Sequence, residues 1–154
     1  QEIDLSLFTS YLTLDAGINE GKNEVQFLFV YDKESRHLQH CQPSDLQEEL
    51  NGVAFQSPYG EFSFAGVPSE GMVSREDLFM DLLSVVSDSA DVKRMIVVSF
   101  NEEYGKKVTD VLQGLKGKEV MQFRMNEPEI SVNYKWDMLA FPVMHSLGIR
   151  AEEL

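Results

Sequence analysis

The sequence predicts an α+β fold, with helices mainly on one face of a mixed or antiparallel sheet. Three observations lead there. Arg94 to Phe100 is the most continuous β-branched run in the chain, the pattern of a buried strand. Ser74 to Val86 and Asn101 to Leu115 carry apolar residues at helical spacing. Glu119 to Met125 and Ile130 to Trp136 alternate with period two, as strands with one covered face do. At 154 residues, a single domain over 1–154 is the expected size.

The elements follow in order. Ile3, Leu7, Phe8, Tyr11 and Leu12 share one helical face, with Gly17 as the stop and Leu5 and Leu14 off the stripe. Glu24 to Tyr31 is apolar on both faces, which predicts a central strand. After a polar turn from Asp32 to Arg36, a short strand is expected over His37 to Cys41. One or two helical turns follow over Asp45 to Leu50, closed by Asn51-Gly52. Val53 to Phe55 and Glu61 to Ala65 suit short strands.

Ser74 can cap the next helix, with Asp77 completing a weak capping box and Leu78, Phe79, Leu82, Leu83 and Val86 as its stripe. Asn101 can cap the third helix, which buries Tyr104, Val108, Val111, Leu112 and Leu115 and ends at Gly117. In the last two strands, Met121, Phe123 and Met125 oppose Gln122 and Arg124. Ile130, Val132, Tyr134 and Trp136 point inward. Asn126 to Glu129 suits a short hairpin loop between them. The tail from Met138 to Val143 is apolar and broken by Pro142.

Composition narrows the partners. A formal net charge of -13 repels phosphate backbones and anionic lipid surfaces, so neither nucleic acid nor membrane insertion is expected. A basic partner is allowed. The one cysteine, Cys41, excludes an internal disulfide. A first residue Gln1 rather than Met is what signal removal leaves, so a periplasmic or secreted protein is expected, with the cytoplasm as the alternative.

The candidate chemistry is sparse. His37, His40 and Cys41 offer donors suited to zinc or copper. On a strand, however, His37 and His40 point to opposite faces, and His145 is far along the chain. Surface histidines beside a buried or half-buried thiol are the plainer reading. Cys41 as a nucleophile would need a base and a lowered pKa, and no cysteine signature surrounds it. The acidic pairs Glu48-Glu49, Glu76-Asp77, Glu102-Glu103 and Glu152-Glu153 lie at predicted helix starts or the terminus, where acids complement the helix dipole. Asp15 to Gly21 does not match a calcium loop. No phosphate loop, dinucleotide fingerprint or nucleophile elbow occurs, and no cofactor is implied. Seven methionines, Met72 among them, sit mostly at core positions. Trp136, Phe141 and Met144 would form an apolar patch if exposed, and would then imply a protein partner or a homodimer.

The stretch Val25 to Cys41, with Phe-Leu-Phe-Val-Tyr-Asp-Lys-Glu followed by a cysteine, resembles the start of small exported proteins of marine gammaproteobacteria grouped as DUF2987. That resemblance implies a periplasmic protein and transfers no catalytic residue. The expectation is a non-enzymatic binding or interaction domain. A small metal- or cysteine-dependent enzyme is one alternative, and a cytosolic regulatory or assembly protein the other.

Overall fold

Helices and strands together build an α+β fold, as the two spacings in the sequence require. The computed structural model describes residues 2–71, 73–98 and 101–148, and side chains for all of these but 101–104. Met72, the Phe100 end of its strand, Glu152-Glu153 and the side chains of Asn101, Glu102, Glu103 and Tyr104 therefore lie outside the described residues. The chain divides into two compact units, Glu76–Phe141 being one and the flanking stretches the other. Each is described by itself.

In the flanking unit, Ile3–Asp4 (β1) runs parallel to Cys41–Gln42 (β3), and Ile3 N–H donates to the His40 carbonyl at 2.6 Å. Asp4 then caps the helix Leu5–Asp15 (α1), its carboxylate accepting from the N–H groups of Ser6 at 2.9 Å and Leu7 at 3.4 Å. Of the expected stripe on α1, Leu12 is buried and Phe8 packs against the core, but Leu7 is exposed, and Leu5, Thr9 and Thr13 complete the buried face instead. Threonine made the difference. Thr9 and Thr13 turn their hydroxyls back onto the carbonyls of Leu5 and Thr9, at 2.8 and 2.9 Å, so each buries as a satisfied, nearly apolar group.

Asn23–Tyr31 (β2) pairs in parallel with Gly60–Pro68 (β5), and Ala54–Ser57 (β4) pairs with β5 in an antiparallel hairpin. The order β2-β5-β4 makes β5 central and β2 an edge, correcting the expectation of a central β2. The apolar residues on its second face do not mark burial there, since Leu28 is 39% exposed. The inner face is aromatic. Phe64 stacks on Phe27 at 5.0 Å and on Phe55 at 5.6 Å, and Phe62 meets Phe27 edge-on at 5.1 Å. Leu5, Tyr31, Leu46 and Leu50 complete this core. Gly60 is required where β5 starts: its φ is 131°, and a Cβ there would stand 1.9 Å from the Asn23 carbonyl oxygen.

Between β2 and β4 the chain is tied by Asp45. Its carboxylate receives both Nε and Nη2 of Arg36, at 2.9 and 2.8 Å. It also caps a single π-helical turn, Leu46–Leu50, through the N–H groups of Gln47 and Glu48. The expected strand at His37 to Cys41 shrinks to β3, and His37 keeps only an isolated bridge to Asp45.

In the other unit, Arg94–Val98 (β6), Glu119–Arg124 (β7) and Lys135–Met138 (β8) form a parallel sheet with β7 central. Arg75–Asp88 (α2) precedes β6, and Asn101–Gln113 (α3) links β6 to β7 as a β-α-β unit. The core is Leu83, Met95, Val97, Val108, Leu112 and Val120. The expected hairpin between the last strands is replaced by a parallel pairing. Only Lys135–Met138 is strand, so residues 125–134 are free to cross over, which a parallel neighbour requires. Asn133 anchors that crossover by donating from Nδ2 to the Gln113 carbonyl at 3.0 Å, while Ile130, expected inward, is 63% exposed. Pro142 does not break the tail. It lies in the first turn of Ala140–Ser146 (α4), where its missing N–H would have had no partner.

The Arg36 guanidinium holds the Asp45 carboxyl well below the usual carboxylate range, and the capped N–H groups add to this. The folded form therefore keeps the charge where the unfolded chain, titrating near ~3.9, takes up a proton. This contribution is full above that pH and fades as pH falls further. Thermal unfolding followed by circular dichroism from neutral pH down to about pH 2 should show Asp45→Asn less stable than wild type at neutral pH. Its acid-side slope should also be shallower.

Candidate functional site

The residues singled out by the sequence do not converge. His37 leans on the Asp45 carboxylate, Nε2 to Oδ2 at 3.4 Å, and is otherwise exposed. His40 is exposed with φ 61°, a left-handed conformation that histidine tolerates better than most residues, and its carbonyl is taken by β1. Cys41 turns the other way and packs, half-buried, against the aromatic core. Among the described residues no group of three or more His, Cys, Asp or Glu side chains is placed to hold a metal ion. His145 is engaged elsewhere, with its ring 5.3 Å from that of Tyr11 and Nδ1 3.3 Å from Asp15 Oδ2. Burial pushes the Cys41 thiol up, the opposite of what a nucleophile needs.

The acidic pairs that can be described serve structure. Glu48 reaches Arg36 at 3.2 Å, Glu49 accepts from the Asp45 N–H at 3.1 Å, and Glu76 pairs with Lys107 at 2.6 Å. Trp136 is half-buried on β8. On α4, Phe141 is 42% exposed and Met144 half-buried. Among the described residues no helix is long and apolar enough to cross a membrane.

What the fold does present is the outer edge of β2. In a parallel ladder one residue directs both its N–H and its C=O to the same neighbouring strand. Asn23 N–H donates to Tyr59 of the hairpin at 3.2 Å, and the Tyr31 carbonyl accepts from Ser69 N–H at 2.8 Å, so both ends of β2 turn their groups toward β5. The odd-numbered residues between them do likewise. The N–H and C=O groups of Glu24, Gln26, Leu28 and Val30 then point outward, and among the described residues no strand pairs with them.

The same four side chains share the face away from the aromatic core. That face is graded along the strand. Glu24 stands beside Glu61 in register, two carboxylates with no cation paired to them among the described residues. Further on, Leu28 stands beside Ala65 and Val30 beside Val67. The edge thus offers main-chain hydrogen bonds, an acidic end and an apolar end. Sequence reasoning missed it because apolar residues on two faces look alike in a central strand and in a strand with an exposed sticky face. Glu24 and Gln26 at the start of the run were the available signal, since central strands seldom carry charge.

The family of unknown function DUF6621 matches the chain over residues 1–154, and the chain belongs to that family. This overturns the resemblance to DUF2987: a strand, a turn and one cysteine are features that many unrelated chains share, whereas the DUF6621 match is continuous from end to end. The periplasmic location implied by that resemblance loses its support. No curated protein and no solved structure matches the chain.

Two outcomes follow from this geometry. Proline at Gln26 removes an outward N–H and no ladder bond, whereas proline at Phe27 removes a bond to β5. Denaturant titration should show Phe27→Pro costing ~3 kcal/mol or more and Gln26→Pro clearly less. Cys41 should react with a thiol-specific disulfide reagent more slowly at pH 7 than a free thiol does, and faster as the solution becomes alkaline. Rapid labelling at pH 7 would restore the nucleophile reading.

Proposed function

We propose that this member of DUF6621 is a non-enzymatic interaction domain that takes an extended segment of a partner protein onto the outer edge of β2. The observation that supports this reading is the run of outward backbone groups from Glu24 to Val30, which no strand among the described residues takes up, on a nine-residue strand. A strand added there gains main-chain hydrogen bonds, and its alternate side chains give selectivity. The graded face sets the chemistry of the partner: a lysine or arginine to meet Glu24 and Glu61, and apolar side chains to meet Leu28 and Val30. The net charge of -13 favours a basic segment and opposes a second copy of this chain.

The enzyme alternatives draw less support. Cys41 is held protonated rather than activated, and its neighbouring histidines diverge. Export to the periplasm remains part of the proposal, with the cytoplasm as the alternative. A lone thiol kept protonated by burial suits an oxidising compartment, because the thiolate is the reactive form. Cell fractionation tests the location.

The binding test uses a capped synthetic peptide alternating lysine with valine and threonine, and a control with glutamate for lysine. Amide resonances of Glu24, Gln26, Leu28 and Val30 should shift with the lysine peptide. The effect should weaken with added salt and vanish in Gln26→Pro. Shifts confined to other residues, or equal binding by Gln26→Pro, would remove the proposal. Sedimentation of the protein alone checks the competing outcome, a dimer formed through the same edge.

A further inference from the structure

Strand β7 places Val120, Gln122 and Arg124 on one face and Met121 and Phe123 on the other. Val120 belongs to the core, so the two polar residues that share its face go inward with it. Gln122 is 0% exposed and Arg124 8%. The Gln122 carbonyl oxygen Oε1 accepts from Arg124 Nη1 at 3.0 Å and from the Tyr134 hydroxyl at 2.8 Å. A guanidinium can only donate, which fixes the amide in this orientation, because the reverse would set two donors face to face.

The consequence is a buried Gln122 Nε2 with no hydrogen-bond partner among the described residues. Arg124 also gives Nε to the Asn126 carbonyl at 3.1 Å. No carboxylate pairs with it among the described residues. A buried cation without a counter-ion is costly, and so is a buried amide with idle hydrogens. On these two side chains every unused valence is an N–H donor, so the complement is a group that only accepts.

We infer that Gln122 and Arg124 form a binding site for the carboxylate of a small organic acid. One guanidinium matches one negative charge. A phosphate dianion would leave excess charge in a chain already at -13. Arg124 ends β7, and the carboxyl ends of parallel strands are where α/β sheets commonly receive ligands. Trp136 stands beside Gln122 in register and on the same sheet face, an apolar flank for the hydrocarbon part of the acid.

The test titrates the purified full chain with benzoate and acetate, and with phosphate and chloride at matched ionic strength. Trp136, the only tryptophan, reports by fluorescence, and the Gln122 side-chain amide by NMR. Saturable changes with the carboxylates, more than about tenfold tighter than with phosphate or chloride, are expected. Gln122→Glu supplies a carboxylate to Arg124 from within and has nearly the same shape. It should abolish the response at pH 7 without lowering the melting temperature. Arg124→Lys keeps the charge but loses the planar fork, and should weaken binding. Absence of any saturable change, with Nε2 satisfied by a buried water only, would overturn the inference. So would an equal response to all anions, or undiminished binding in Gln122→Glu.

Discussion

A strand gives its residues only two choices, and both proposed sites come from how that alternation falls. In β2 the choice concerns the backbone. Asn23 and Tyr31 commit the odd-numbered positions to β5, so the even-numbered ones cannot also bond there. In β7 the choice concerns the side chains. Phe123 and Val120 are both wanted inside, on opposite faces of a strand flanked by neighbours on both sides. Gln122 and Arg124 follow Val120 and are buried as a result, with Tyr134 and Asn126 meeting part of their need. The first feature is set by the strand alone, and the second also draws on the crossover that carries Asn126 and Tyr134.

The Asp45 carboxylate has the corresponding role outside the strands. One side chain receives the Arg36 fork, two N–H groups of the following turn and the edge of His37. With so many donors, the carboxylate stays charged, and it adds a side-chain tie to a segment that β1 and its own backbone bonds also hold. Leu46 and Leu50 are thereby delivered to the aromatic core from either end of one turn. Of the histidines and the cysteine in this segment, His37 leans on that tie, whereas His40 and Cys41 are placed by β1, and the three diverge.

Much of the fold was legible in the sequence. Arg94 to Val98, the helix after Ser74 and the helix ending before Gly117 all appear, because long runs with a single period leave little choice. The misreadings have physical causes. Thr9 and Thr13 counted as polar, yet a hydroxyl bonded to its own helix buries without penalty. Asn126 to Glu129 has turn composition, but composition does not say whether the next strand starts at once or after a crossover. The candidate surfaces were less legible still. Gln122 and Arg124 were assigned to an open face because they are polar. The parity of Val120 argued otherwise, and burial followed parity.

The close approach of Gly60 to Asn23 bears on how the two ends of β2 respond to solvent. At the amino end the strand lies against a bare backbone, and the contact is a matter of volume. Beyond the carboxyl end the chain enters a segment held by opposite charges. Ionic strength and acidity act on the second and leave the first untouched. Conditions that slacken the Arg36–Asp45 tie would therefore loosen the turn beyond Tyr31, while the ladder to β5 and the bare backbone at Gly60 keep β2 itself in place.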